Sequence, residues 1–444
     1  MAVFERKIYR KMLDWKNESH GKSALLIEGA RRIGKSTIVK EFAKKEYKSY
    51  ILIDFNIAGS KIFSLFDNLN DLDFLYIFLQ AEYNTTLYER KSVIVFDEVQ
   101  QCPKARQAIK YLVADGRYDY IETGSLISIH KNVSDITIPS EEERISMNPM
   151  DYEEFRWALG DHTSLDIMRH MLTNMKGLGD DINRKYMRDL RLYMLIGGMP
   201  QAVNEYLDTN SLEAVDKTKR KIIDLYEEDF NKLDKTGKLG KLFVSIPSQL
   251  SRNANRFAPS SVIKGVEPDK LRDLLICLEQ SKTANFSYHA DDPNVGMSLS
   301  RDDSRFKIYL ADTGLFITLC FWDKDFTDNI IYQKLLTDKL QTNLGYIYEN
   351  LVAQMLIAAG HKLFYYTWAK DEKHNYEIDF LLSRKNKLCP IEVKSSGYSA
   401  HVSLDAFAKK FSSRIDTPYL IYTKDLRRDA SVVLLPVYLS QLLK

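Results

Sequence analysis

Residues 25–37 form the stretch LLIEGARRIGKST, which organises the interpretation of the whole chain. The stretch fits the pattern G-x-x-x-x-G-K-[ST] at every defined position and ends with Lys35, Ser36 and a threonine. An apolar, strand-like run enters the pattern at residues 24–27, and a helical pattern leaves it at residues 37–46. Because a phosphate-binding loop lies between a strand and a helix, this setting favours such a loop over an ordinary glycine-containing turn.

The residue types of this loop suit an anionic ligand. Gly29 and Gly34 permit the tight turn in which successive N–H groups surround a phosphate. The positive end of the following helix points at the same charge. Lys35 is predicted to reach the β- and γ-phosphates, and the Ser36 hydroxyl to take one Mg²⁺ position. The predicted nucleotide-contacting residues are Gly29, Ala30, Arg31, Arg32, Ile33, Gly34, Lys35, Ser36 and Thr37.

A second motif, VIVFDE, occupies residues 93–98. Its apolar run is typical of a buried parallel strand, and it ends in two carboxylates. Asp97 suits the coordination shell of Mg²⁺, and Glu98 suits the polarisation of an attacking water. The two motifs in this order predict nucleotide binding, and hydrolysis as its extension.

Apolar strands alternate with helical patterns from residue 24 to about residue 150. This rhythm predicts an α/β fold with a parallel sheet that is covered on both faces. Thr123 and Ser125 follow the last strand, at the edge where ligands bind in open α/β sheets. They are predicted to hydrogen-bond the γ-phosphate or the lytic water, with a simple β-turn as the alternative. The predicted strands are residues 24–28, 50–54, 93–97 and 119–123.

Composition describes an ordinary globular chain with several domains. The 444 residues are 45% apolar and carry a net charge of +2, so the whole chain has no nucleic-acid signature. Residues 331–444 hold 16 basic against 11 acidic residues, which permits a polyanionic partner without requiring one. The four cysteines form no C-x-x-C pair, and no signal peptide or membrane-spanning segment is predicted, which favours a cytoplasmic protein.

Four motifs carry a resemblance to a known family: GARRIGKS, FDEVQ, TGS and the later GGMP of residues 197–200. In this order they resemble one group of AAA+-type ATPases. These are mostly uncharacterised prokaryotic proteins with a C-terminal domain of unknown function and restriction-endonuclease-like fold. The resemblance implies ATP and Mg²⁺ as ligands and an ASCE-type sheet with strand order 5-1-4-3-2. It also implies that Glu98 is the hydrolytic carboxylate and that residues 123–125 form the first sensor.

The sequence leaves alternatives for the identity of the arginine that senses phosphate. Arg144 lies where the group has a Gly-Arg pair, but Glu143 replaces the glycine. A surface ion pair with neighbouring glutamates is the equal alternative. Arg31 and Arg32 face a neighbouring subunit or solvent, so a homo-oligomeric ring, a dimer and a monomer all remain open.

The predicted domains are a P-loop ATPase domain at 1–150, a helical lid at 151–235, a winged-helix-like domain at 236–330 and a restriction-endonuclease-like domain at 331–444. The winged-helix prediction rests on a helix–turn–helix pattern followed by two strand-like segments. Its basic residues either meet nucleic-acid phosphates or belong to a packing module. These residues are Lys264, Lys270, Arg272 and Lys282.

A second constellation lies in the C-terminal domain. Glu349 is in a helical run, and two strand-like segments at 376–382 and 390–394 carry the other charges. If these strands form a hairpin, Asp379, Glu392 and Lys394 converge. Asp379 and Glu392 then hold a divalent ion, and Lys394 steadies an attacking water or the phosphorane charge. The spacing resembles the PD-(D/E)XK nuclease core, while a hairpin with ordinary alternating charges is the alternative.

Three functions follow from these motifs. The leading hypothesis is an ATPase coupled to a nuclease-like module that acts on nucleic acid, with DNA favoured over RNA. The second is a nucleotide-dependent switch or scaffold that does not cleave. The third is a DNA-binding ATPase that uses the winged helix.

Overall fold

The computed structural model describes residues 3–67, 69, 71–124, 139–252, 256–294, 296–323, 329–337, 345–395 and 400–443. The chain divides into two compact units. The first unit comprises Met1–Asn148 with Gln280–Lys282, and the second comprises Pro149–Glu279 with Thr283–Lys444. Among the described residues, no helix combines the length and apolar character needed to cross a membrane.

The first unit alternates strands and helices after an N-terminal helix. Its elements are α1 (Ile8–Ser19), β1 (Ala24–Glu28), α2 (Lys35–Glu46), β2 (Ser49–Asp54), α3 (Ser60–Leu65), α4 (Leu72–Glu82), β3 (Ser92–Asp97), α5 (Pro103–Asp115), β4 (Asp119–Gly124) and β5 (Glu142–Ser146). The N-terminal helix α1 buries Ile8, Met12 and Trp15.

The five strands form one parallel sheet in the order β2-β3-β4-β1-β5, which confirms the strand order that the resemblance implied. β1, β3 and β4 are buried along their whole length, as their apolar runs predicted. One face of the sheet packs against α3, α4 and α5 through a core that includes Phe96 and Leu112. The register places Ile27 beside Thr123 and Asp54 beside Asp97, so the polar strand ends share one edge.

The second unit begins with helices. They are α6 (Tyr152–Ala158), α7 (Ser164–Asn174), α8 (Asp180–Ile196), α9 (Pro200–Thr209), α10 (Leu212–Leu233), α11 (Lys238–Val244), α12 (Ile246–Ser251), α13 (Pro259–Val262) and α14 (Pro268–Gln280). Pro247 lies in the first turn of α12. A proline is tolerated there because the N–H groups of the first turn have no partner within the helix.

The motif at residues 197–200 forms a close backbone crossing. A Cβ atom at Gly198 would overlap the backbone carbonyl of Met150. Gly198 accepts a hydrogen bond from the Met150 amide at 2.7 Å and donates one to Asp312 at 2.5 Å. The motif therefore requires both glycines. Gly198 is required by packing, and Gly197 by its φ of 84°, which a residue with a side chain rarely adopts.

The rest of the second unit carries two sheets. Its elements are β6 (Ala284–Ala290), β7 (Arg301–Leu310), α15 (Thr313–Cys320), α16 (Asn329–Leu336), α17 (Gly345–Ala358), β8 (Leu363–Ala369), β9 (Asn375–Ile378), β10 (Phe380–Arg384), β11 (Lys387–Val393), α18 (Val402–Lys410), β12 (Tyr419–Tyr422), β13 (Arg427–Asp429) and β14 (Val432–Pro436). The sheet orders are β7-β6-β8-β9 and β10-β11-β12-β14-β13, and both sheets mix parallel and antiparallel pairs.

The single strand predicted at 376–382 is wrong in one respect. The chain breaks at Asp379 into β9 and β10, which belong to different sheets. At this break, the Asp379 side chain contacts β11: its carboxylate accepts a hydrogen bond from the Val393 amide at 2.7 Å. The expected hairpin does form, because β10 and β11 pair antiparallel with Phe380 opposite Ile391.

Candidate functional site

The loop between β1 and α2 has the tight geometry expected of a phosphate-binding loop. A Cβ atom at Gly29 would overlap the Met147 carbonyl oxygen and the Ile33 side chain, so only glycine fits. Gly34 has φ 94° and immediately precedes the first residue of α2. The N-terminus of this twelve-residue helix therefore opens at the loop, where an anion gains from its dipole.

Lys35 is a buried cation inside this loop. Its side-chain amine donates hydrogen bonds to the carbonyl oxygens of Gly29 at 3.0 Å and Ala30 at 2.8 Å. The residue is only 5% exposed. Burial lowers the pKa of Lys35 to about 8, against the opposing effect of the Glu98 and Asp97 carboxylates. A negatively charged ligand at the loop would relieve that cost.

Ser36, Asp97 and Thr123 meet at the carboxyl edge of the sheet. The Ser36 hydroxyl donates to Asp97 Oδ1 at 2.8 Å, and the Thr123 hydroxyl donates to the same oxygen. A hydroxyl and a carboxylate at this distance are oxygen ligands of the kind that Mg²⁺ takes beside a nucleotide. The donor set of the first unit therefore fits the predicted ion.

Glu98 stands next to this group in a strained conformation. Its φ of 55° is left-handed, which is uncommon for a residue with a side chain. The Glu98 amide donates to Thr123 Oγ1 at 3.2 Å, and the Gln100 side chain donates to the Glu98 carboxylate. Both contacts orient the carboxylate at the strand end.

A cleft of about 1050 Å³ adjoins the group. Ser36, Thr37 and Asp97 line one part of it, and residues of β2 and of the exposed side of α2 line another. The cleft thus reaches the metal-ligating pair predicted from the sequence.

Arg6 contributes to the loop although sequence reasoning missed it. Its guanidinium donates to the Ile33 carbonyl at 2.9 Å and to the Asn148 carbonyl at 2.7 Å. These contacts fix the loop backbone from the chain segment before α1. No motif marks Arg6, because its partners are 27 and 142 residues away.

The three arginines whose roles the sequence left open have different surroundings. Arg31 and Arg32 are exposed, and Arg32 has φ 68°. Arg144 lies on β5, half-exposed, and its guanidinium is 3.4 Å from Glu142, which favours the ion-pair alternative. Ser125 lies outside the described residues.

A second polar pocket, of about 480 Å³, lies in the second unit. It brings together the four residues that the sequence placed in a nuclease-like constellation: Glu349 from α17, Asp379 from the β9–β10 break, and Glu392 and Lys394 from the end of β11. The Lys394 amine contacts Glu392 Oε1 at 2.6 Å. Burial, together with the Glu349 charge, raises the pKa of Asp379 well above its ordinary range.

The same pocket contains a cation that the sequence analysis did not anticipate. Lys307 on β7 contacts Glu349 at 2.8 Å and Glu377 at 2.7 Å through its side-chain amine. Within the described part of the chain, no three His, Cys, Asp or Glu side chains are grouped as metal ligands are. The pocket as it stands does not fit a divalent ion, and the metal roles of Asp379 and Glu392 stay a prediction.

The comparison with family models supports the assignment of the first unit as an ATPase domain. Residues 21–156 match a family described as an AAA domain. Residues 187–325 and 344–439 match two domains of unknown function, DUF8612 and DUF4143. No protein of the curated set matches the chain. The match and the sheet order together support an AAA+ P-loop ATPase, a class that binds a nucleotide with a divalent metal ion.

Solved structures give weaker similarities. The Walker-type ATPase PABY2304 of Pyrococcus abyssi is 17% identical, with 72% of this chain and 96% of that chain covered and a TM-score of 0.43. The Thermotoga maritima RuvB Holliday junction branch migration motor is 12% identical, with 63% and 88% covered and a TM-score of 0.28. Cdc6p of Pyrobaculum aerophilum is 12% identical, with 77% and 97% covered and a TM-score of 0.26. The assignment rests on the AAA domain match and on the geometry of the first unit.

Proposed function

We propose that the first unit binds ATP with Mg²⁺ and hydrolyses it. One observation carries this proposal. At the carboxyl edge of the sheet, four polar residues lie together beside the N-terminus of α2: Lys35, Ser36, Asp97 and Thr123. Lys35 and the loop amides bind the β- and γ-phosphates. Ser36 and Asp97 would hold Mg²⁺, which would supply positive charge against the charge that develops on the phosphates.

Glu98 is the residue that we assign to the attacking water. The carboxylate accepts a water proton, so the water oxygen attacks the γ-phosphorus while the bond to the ADP oxygen breaks. Thr123 contacts the Glu98 amide and the Asp97 carboxylate, so it couples the metal position to the water position. Thr123 is therefore a positioning residue.

Glu98→Gln tests this assignment. The amide keeps the size of the side chain but cannot take a proton, so ATP turnover should fall by about a hundredfold or more. Nucleotide affinity should remain, which a fluorescent ATP analogue would measure. Glu89→Gln, at an exposed glutamate, is the matched control. Unchanged turnover in Glu98→Gln would remove Glu98 from the mechanism.

We further propose that residues 331–444 form a nuclease-like module that acts on DNA and is coupled to the ATPase. The element order, in which α17 is followed by the β10–β11 hairpin, α18 and the parallel strand β12, supports this fold. The convergence of Glu349, Asp379, Glu392 and Lys394 on one pocket supports it as well.

An aromatic and basic surface supports nucleic acid as the partner. The rings of Trp368 and Tyr376 stack 5.0 Å apart, centre to centre. The Lys410 amine is 5.7 Å from the Trp368 ring, and the Lys370 amine is 5.6 Å from the Tyr376 ring. Single-stranded nucleic acid binds where aromatic faces and cations alternate in this way.

Trp368→Ala should therefore weaken the binding of single-stranded DNA by about tenfold, the scale of one lost base stack. Fluorescence anisotropy at two salt concentrations measures the effect, since phosphate contacts lose affinity with salt. Trp322→Ala, at another partly exposed tryptophan of the second unit, is the control. Equal DNA affinity of the parent and Trp368→Ala would show that this surface does not bind DNA.

A non-cleaving role of the module is the second candidate, and Lys307 favours it. A side-chain amine, rather than a metal ion, contacts Glu349 and Glu377 in the pocket. Glu392→Ala separates the candidates, because a module that cleaves DNA with a divalent ion should lose that cleavage in this variant and keep its ATP turnover. Absence of cleavage by the parent protein would support the non-cleaving role.

The winged-helix interpretation of 236–330 remains a proposal of its own. α14 precedes an antiparallel β6–β7 pair, as a winged helix requires, and Lys264, Lys270 and Arg272 are exposed. However, β6 also pairs with β8, so this hairpin continues into the sheet that borders the polar pocket. A packing role agrees with that continuity.

A further inference from the structure

Lys307 is a buried lysine that the proposed ATPase mechanism does not use. It lies on β7 two residues before Tyr309, so both side chains point to the same face of the sheet. Both reach Glu349 Oε1, the lysine at 2.8 Å and the tyrosine hydroxyl at 2.5 Å. Lysine is rarely buried unless it is paired, and here it is 5% exposed.

The pocket around Lys307 is rich in negative charge. Among the described residues that line it, four are carboxylates and two are lysines. The carboxylates are Glu349, Glu377, Asp379 and Glu392. Although burial opposes it, the Glu349 charge holds the pKa of Lys307 well above its ordinary value, so the amine is an ammonium. This ammonium is the cation that contacts two of the carboxylates.

Two buried carboxylate oxygens of the pocket have no hydrogen-bond partner within the described part of the chain: Glu377 Oε1, which forms an ion pair with Lys307 at 2.7 Å, and Glu392 Oε2. Glu392 contacts Lys394 through Oε1, but its Oε2 is buried and unpaired. The residue is 7% exposed, so solvent does not readily satisfy this oxygen. A buried, unpaired carboxylate oxygen is costly, which indicates that the pocket can accept a further positive ligand.

We propose that the Lys307 ammonium occupies the cation position of this pocket and competes with a divalent metal ion for Glu349 and Glu377. Removal of the amine opens a divalent site, in which Asp379 and Glu392 supply further oxygen ligands. The inference rests on the proposed nuclease-like module for the identity of the pocket, but it concerns cation occupancy and not cleavage. It explains why the residues predicted to bind metal converge without forming a metal-ligand group.

The chemistry of the two cations makes them exclusive. An ammonium approaches carboxylate oxygens at hydrogen-bond distance, as the contacts of 2.7 and 2.8 Å show. Mg²⁺ and related ions need oxygens at about 2.0–2.1 Å and in larger number. Both cannot lie between the same oxygens, so displacement of one is a condition for the other.

Mn²⁺ titration of the full-length, nucleotide-free protein tests the inference, with calorimetry and Mn²⁺ electron paramagnetic resonance as readouts. The variants are Lys307→Ala, Lys307→Ala with Glu349→Ala, and Lys387→Ala, the last being a control at an exposed lysine of β11. All variants share the same phosphate-binding loop, so differences in Mn²⁺ binding report on the polar pocket of the second unit. Lys307→Ala should gain Mn²⁺ affinity by at least about tenfold, the scale on which neighbours of metal ligands act. The double variant should lose this gain.

Identical Mn²⁺ isotherms for the parent, Lys307→Ala and Lys387→Ala would overturn the inference. Should Lys307→Ala fail to fold, the parent is compared with Glu392→Gln. Superimposed isotherms of these two proteins are the expected result, and an Mn²⁺ site in the parent that Glu392→Gln abolishes would also overturn the inference. ATP turnover and DNA cleavage are measured separately, so failure of either proposed activity is distinguishable from failure of the cation exchange.

Discussion

Lys35 combines three properties that make its protonation relevant to ligand binding. It is buried, it contacts the carbonyl oxygens of Gly29 and Ala30, and its pKa is lowered to about 8. An anionic phosphate binds the protonated amine, whereas the neutral amine offers it no charge. Nucleotide affinity should therefore be constant below pH 8 and fall above it.

The expected fall is about tenfold per pH unit, as one titrating proton implies. Calorimetry with a non-hydrolysable ATP analogue between pH 7 and 9.5 measures it, and proton uptake above pH 8 appears as a dependence on buffer enthalpy. Lys35→Arg keeps its charge throughout this range, so any binding that it retains should show a flat profile. A flat profile in the parent would contradict the assignment.

Residues that belong to a local motif could be placed from the sequence. Lys35 and Ser36 belong to one loop, and Asp97 ends a strand whose apolar run is visible in the chain. Arg6 and Lys307 escaped prediction because tertiary contacts alone define their environments. Their residue types have no local pattern that separates them from solvent-exposed cations.

At the scale of elements, the backbone crossing at Gly198 constrains the connection between two helices. Residues 197–200 join α8 to α9, and Asp312, which caps α15, accepts from the Gly198 amide. Asp312 is itself buried, which raises its pKa. This glycine pair therefore links three segments of the second unit.

Gly198→Ala should destabilise the second unit by about 2 kcal/mol or more, because the added Cβ overlaps the Met150 backbone, which cannot move freely. Urea denaturation followed by circular dichroism measures the shift. Gly240→Ala is the matched control, since a Cβ in the middle of α11 meets no atom within 4 Å. The control should be neutral or slightly stabilising, as alanine favours a helix. Equal stability of both variants would contradict the packing role of Gly198.

Elements with strong apolar runs were predictable, and those without were not. The strands β1 to β4 match their predicted ranges within one residue at each end. The edge strand β5, with the sequence EERIS, was missed because three of its five residues are charged. The division of one expected strand into β9 and β10 depends on the contact of Asp379 with Val393, which alternation cannot reveal.

At the scale of the whole molecule, the described part of each unit contains a polar site. The first unit holds the phosphate-binding loop and matches an AAA domain. The second holds the pocket of Glu349, Asp379 and Glu392 and matches domains whose function is unknown. The sequence predicted which residues converge in each unit, because both groups follow short motifs, while their functional roles stay a prediction. It did not predict Lys307, the residue on which the state of the second site depends.

Binding of ATP with Mg²⁺ to the purified protein tests the central claim most directly. Calorimetry at pH 7 should show binding to the parent and a loss of affinity of about a hundredfold in Lys35→Ala, since a charged hydrogen-bond partner contributes up to about 3 kcal/mol. The same affinity in both proteins, or no binding to the parent, would contradict the assignment of the loop at residues 29–37 as the nucleotide site.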